Sequence, residues 1–115
     1  MNVAIIGGIG SFGLFYAKLF MKQGFNVFLN DVDESACKKF CESSKCSFFS
    51  LDEISKMDIV IVSVPNSVAS KVISDIISKL GDNTLLIDFC SVKSIVIPTL
   101  KKIKNKTIEI VSVHP

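Results

Sequence analysis

Gly8, Gly10 and Gly13 form a G-x-G-x-x-G pattern in the stretch GGIGSFG, and Asp31 follows 18 residues after the last of them. Glycines at this spacing bring backbone amides close to an anion. One permits a tight turn, one removes a side chain where a pyrophosphate approaches, and one lets a helix pack on a strand. We assign these tasks to Gly8, Gly10 and Gly13 in that order. Amides at the start of the following helix then face the phosphates, and Ile9, Ser11 and Phe12 join the candidate contacts. An acid about 20 residues further on accepts hydrogen bonds from ribose hydroxyls and repels a 2′-phosphate. Asp31 therefore favours NAD over NADP, with no arginine or lysine beside it in the sequence. Two plainer roles stay open: turn geometry alone for the glycines, and helix capping for Asp31. The additional Gly7 sets the triad one residue further from the preceding strand than in the common fingerprint.

A second chemical group lies at the other end. His114, the only histidine, follows the apolar run IVSV and precedes the last residue, Pro115. A side chain titrating near neutrality suits proton transfer, although a histidine so near a terminus is ordinarily just solvated. Its meaning depends on the elements that would position it.

Those elements alternate in period. NVAII (2–6), FNVFL (25–29), CSFF (46–49), DIVIVSVP (58–65), TLLIDF (84–89) and TIEIVSV (107–113) read as six strands. Between them, Phe12, Phe15, Tyr16, Leu19 and Phe20 recur at helical spacing before Gly24, a helix-ending glycine. A more polar helix is predicted over 33–42, and Ser50 to Glu53 has the capping-box spacing of a short one. Val68, Val72, Ile73, Ile76, Ile77 and Leu80 mark one face of a long helix closed by Gly81. A last helix carries Leu100 and Ile103, with Pro98 at its start. Strands alternating with helices predict one α/β domain over 1–115. It is a Rossmann-like, doubly wound, mostly parallel six-stranded sheet with helices on both faces. Such sheets bind ligands beyond the carboxyl ends of their strands. Ser63, Val64 and Pro65 after the fourth strand, Cys90–Lys93 after the fifth and His114 after the sixth thus become candidates for one crevice beside a nicotinamide.

Composition narrows the function. The formal charge is +2, too small to argue for nucleic acid or an anionic membrane, and no run is long enough to span a bilayer. All 13 basic residues are lysines, so no side chain can clamp a carboxylate or phosphate at two points as arginine does. KKIKNK (101–106) reads as a solvated helix end. Four cysteines without a CxxC pair read as reduced thiols of a cytoplasmic protein, with no metal site. The apolar N-terminus, interrupted by glycines and Lys18, does not read as a targeting segment.

In order and spacing, IIGGIGSFG, DIVIVSVP, DFCSVK and the final HP resemble the N-terminal cofactor domain of the prephenate dehydrogenase family. SVK and HP are the discriminating pair; Cys90 stands where that family often has glycine. The resemblance implies an NAD-dependent oxidoreductase converting prephenate to 4-hydroxyphenylpyruvate in tyrosine biosynthesis. It gives His114 the role of drawing off the proton of the substrate's 4-hydroxyl, and Ser91 that of orienting this histidine, the substrate and the nicotinamide. Lys93 receives no chemistry. It also implies a following helical domain that binds substrate and forms a homodimer, which would make this chain a trimmed or proteolysed piece, inactive alone. Competing readings are an arogenate or 3-hydroxyacid dehydrogenase, and a non-catalytic dinucleotide sensor, which has no need of Ser91 and His114.

Overall fold

The computed structural model describes residues 1–89 and the backbone strand of residues 109–112. In chain order the elements are β1 (Asn2–Ile6), α1 (Ser11–Lys22), β2 (Asn26–Asn30), α2 (Glu34–Glu42), β3 (Cys46–Phe48), a 3₁₀ helix (Leu51–Lys56), β4 (Ile59–Val62), α3 (Asn66–Ile77), β5 (Leu85–Asp88) and β6 (Glu109–Ser112). All six strands join one sheet in the order β3-β2-β1-β4-β5-β6. Every neighbouring pair is parallel, with Val3 opposite both Val27 and Ile59. The chain winds outward from β1 to β3, returns to the other side of β1 and winds outward again. The strand order therefore reverses between β1 and β4, where a doubly wound sheet opens its crevice.

A parallel sheet needs cover on both faces, and period-two alternation divides the strand residues between them. Val3, Ile5, Val27, Leu29 and Ile61 pack with Ala17 of α1 and Cys37 of α2. Ala4, Ile6, Val60, Val62 and Leu86 pack on the opposite face with Ile54 of the 3₁₀ helix and Ala69, Ile73 and Ile76 of α3. The Ser50–Glu53 capping box is present, opening that 3₁₀ helix.

Two helices differ from their apolar periodicity. α1 buries Gly13 and Ala17, while Phe12, Phe15 and Leu19 are exposed. The reason is closeness: a Cβ at Gly13 would lie 2.2 Å from the Gly7 carbonyl oxygen, so only small residues fit where the helix meets the loop. Tyr16 and Phe20 flank that contact, half-buried. α3 ends at Ile77, four residues before Gly81. Gly81 instead answers a close approach, since its Cβ would stand 2.5 Å from the Ser55 carbonyl oxygen. Gly24 does end α1 as its sequence position predicts. At φ +88° it closes a Schellman motif: its own amide donates to Met21, the Phe25 amide donates to Phe20, and the Phe20 and Phe25 rings meet edge to face. The last predicted helix, with Pro98, Leu100 and Ile103, and the KKIKNK stretch lie outside the described residues.

Candidate functional site

The glycine loop connects β1 to α1 at the point where the strand order reverses. Its first turn belongs to Gly7, which has φ +86°. This corrects the assignment of the turn to Gly8. The Gly7 and Gly8 amides both donate to the Asn30 carbonyl at the end of β2, at 2.8 and 3.1 Å. A Cβ at Gly7 would overlap the Ser63 carbonyl oxygen at 2.0 Å, and one at Gly8 would press on Leu29 at 3.0 Å. Gly10 is different. Its φ is −70°, and an added Cβ would meet only the Gly7 carbonyl oxygen, at 3.4 Å. Packing makes Gly7, Gly8 and Gly13 glycine; at Gly10 the space is kept for something else.

Gly10 is also the N-cap of α1 and offers no capping side chain, and the first turn carries no acid. Leu14 is the first residue of that helix to donate back to Gly10, at 2.9 Å. The amides of Ser11, Phe12 and Gly13 thus lack intrahelical acceptors, and the partial positive end of the helix is left to an external anion.

Asp31 directly follows β2. One carboxylate oxygen accepts from the Ile9 amide at 3.3 Å, the other from the Asp33 amide at 3.0 Å. Capping of α2 falls to Asp33, whose side chain accepts from the Ala36 amide at 3.2 Å. Asp31 is therefore not the cap; its carboxylate ties the glycine loop to the turn after β2.

Two lobes of a crevice meet at Gly10 and Ser63–Pro65. One, of about 420 Å³, lies between the starts of α1 and α3 and is also lined by Ser11, Phe12, Asn66 and Phe89. Phe89, just past β5, is held by stacking on Tyr16, with ring centroids 4.7 Å apart. The other lobe, of about 480 Å³, is walled by Asp31 and Val32 on one side and by α3 on the other. Ser63, Val64 and Pro65, candidates from the end of β4, line both lobes at their junction. The α3 wall was missed. Val68, Lys71, Val72 and Asp75 line it at i, i+3, i+4 and i+7, one face of a helix. Of the apolar residues predicted to share one face of this helix, Val68 is 41% exposed, Val72 is half-buried and packs against the core, and Ile73 and Ile76 lie within it.

A dinucleotide fits the arrangement, with a phosphate cradle at the centre and a lobe on each side. Gly10 and the α1 amides would hold the pyrophosphate, and Asp31 the ribose in the larger lobe. Ser91 and His114 lie outside the described residues, as do Cys90 and Lys93. β6 reaches Ser112, in register with Asp88 of β5.

Cys37, Cys41 and Cys46 are free thiols behind this site, with the Cys41 and Cys46 sulfurs 3.4 Å apart. Burial pushes the Cys37 and Cys46 thiols up to about 12. Among the described residues no group of three or more His, Cys, Asp or Glu is placed to hold a metal. Nor is any helix there long and apolar enough to cross a membrane.

The family model for the prephenate dehydrogenase nucleotide-binding domain matches residues 16–115. The chain belongs to this family. Over its whole length it is 27% identical to a probable arogenate/prephenate dehydrogenase from Methanocaldococcus jannaschii, of which it spans 26%. Among solved structures, Synechocystis arogenate dehydrogenase superposes with a TM-score of 0.85 at 18% identity, over 100% of this chain and 41% of that one. Mycobacterium tuberculosis 3-hydroxyisobutyrate dehydrogenase gives 0.83 at 16% identity, over 98% and 40%. At such identities these two likenesses establish the shared fold. The prephenate dehydrogenase nucleotide-binding domain is thus matched from mid-α1 onward. The glycine loop, which precedes the matched stretch, is assigned by its own geometry.

Proposed function

We propose that this chain is the NAD-binding part of a dehydrogenase acting on prephenate or arogenate. The observation that carries the cofactor reading is Gly10. It is the one loop glycine that packing does not require, and it sits where the two lobes of the crevice meet. Asp31 in the larger lobe supports NAD over NADP, because its carboxylate pairs with ribose hydroxyls and repels a 2′-phosphate. When bound, NAD supplies the acceptor for the hydride leaving the ring carbon that bears the substrate's 4-hydroxyl, as carbon dioxide departs and the ring becomes aromatic.

The chain's own residues do the rest. The loop amides hold the pyrophosphate, and Phe89 and Pro65 shape the lobe where the reacting ring would lie. His114, two residues beyond β6, takes the 4-hydroxyl proton, and Ser91, three beyond β5, orients it. Both roles come from the family motif. The choice between the two substrates and a homodimer contact are assigned to the remainder of the protein, since these 115 residues contain no arginine to hold substrate carboxylates.

The test is turnover by the whole protein with each substrate and each dinucleotide, in wild type and His114→Asn. The proposal expects NAD-dependent oxidation of prephenate or arogenate and a large loss of kcat with a smaller change in KM for the variant. NAD binding without turnover in the whole protein would instead indicate a dinucleotide sensor.

A further inference from the structure

The larger lobe holds a charge arrangement that the glycine loop and Asp31 do not explain. Among the described residues Lys71 is the only cation lining either lobe, and the chain has no arginine to take its place. Its ammonium lies 3.0 Å from the Asp75 carboxylate, one turn further along α3 and on the same wall. Lys71 is 78% and Asp75 55% exposed at the side chain, so the pair adds little to folding. The order is also the weaker one for a helix, with the cation toward the N-terminus. Stability is a poor reason for this pair; its position in the lobe is a better one.

We infer that Lys71 and Asp75 form a second determinant of dinucleotide choice, a reading that rests on the proposed cofactor site. A 2′-phosphate would add a doubly charged group to a lobe that already holds Asp31. Among the described residues, the side chain of this lobe able to compensate it is Lys71, on a flexible four-carbon stem. Asp75 opposes that in two ways: it engages the ammonium, and it adds a second carboxylate to the same lobe. With both acids present the lobe sums to one negative charge beside the adenosine ribose. Selectivity for NAD is thus shared between the strand side, through Asp31, and the helix side, through Asp75. Removing Asp31 alone relaxes the choice but leaves Lys71 held.

The experiment is calorimetric titration of the whole protein with NAD and with NADP. It compares wild type, Asp31→Ser, Asp31→Ser/Asp75→Asn, and the triple variant that adds Lys71→Met. Serine keeps an oxygen near the loop while removing the charge. In the Asp31→Ser background, Asp75→Asn is expected to raise NADP affinity roughly 3- to 10-fold, and Lys71→Met to cancel the gain. The gain shrinks as salt is raised, as for any exposed charge contact. Unchanged NADP affinity on replacing Asp75, or a gain that persists without Lys71, would overturn the inference while NAD binding by the wild type stands. Failure of the wild type to bind NAD would overturn the cofactor reading as well.

Discussion

The Asp31 carboxylate accepts the Ile9 amide at 3.3 Å, joining the end of β2 to the middle of the glycine loop. The same group that would take the ribose hydroxyls thus also fixes the loop that would take the phosphates. Asp31→Ala removes both. A hydrogen bond to a charged group contributes about 1.5–3 kcal/mol. NAD affinity is therefore expected to fall at least tenfold, with the preference over NADP reduced. Calorimetry with both dinucleotides measures this, and equal NAD binding by the variant would remove Asp31 from the site.

Gly10 and Gly7 separate binding from folding within one loop. At Gly10 an added Cβ makes only an ordinary contact within the protein, so Gly10→Val is expected to melt close to wild type while losing NAD binding. At Gly7 the backbone is left-handed and a Cβ overlaps the Ser63 carbonyl. Gly7→Ala should cost roughly 2 kcal/mol or more, from backbone strain plus displacement of the β4 end. Paired thermal melts and titrations distinguish the two positions. A Gly10 variant that still binds NAD normally would withdraw the cradle.

These positions also show what was legible beforehand. The loop, the acid and the six strands could be read because each depends on spacing within about 20 residues. Which glycine makes the turn could not, since it depends on Ser63, just past β4 and more than 50 residues away. The exposed Phe12 and Phe15 misled for a similar reason. Apolar periodicity reports which side chains could be buried, and the approach of Gly13 to Gly7 decided which face was. The α3 wall is a third case. Val68 and Ile73 are both apolar in sequence, but five residues turn through about 140° of helix, and the side of α3 set against the sheet is that of Ala69, Ile73 and Ile76.

That division predicts opposite phenotypes on one helix. Ile73 is fully buried against the sheet, so Ile73→Ala should cost about 2–5 kcal/mol. Val68 lines the larger lobe and is 41% exposed. Val68→Ala is expected to change stability by no more than about 0.5 kcal/mol while weakening NAD. Denaturant melts and titrations of the two variants check it. A destabilisation at Val68 comparable to that at Ile73 would place both residues in the core.

The thiols behind the site make stability depend on alkaline pH. Burial is the main cause of the raised Cys37 and Cys46 values, with the neighbouring Cys41 adding to both. An unfolded cysteine ionises near 9, whereas these two hold their protons to about 12. Between those values the unfolded chain binds fewer protons than the folded one, so unfolding becomes easier as pH rises. The stabilisation is complete below about pH 9 and is lost progressively toward pH 12, at no more than about 1.4 kcal/mol per pH unit for each thiol. The informative quantity is therefore the difference between wild type and Cys46→Ala. Denaturant melts from pH 8 to 11 are expected to show a shallower decline for the variant. Parallel declines would mean that Cys46 ionises as readily in the folded protein as in the unfolded chain.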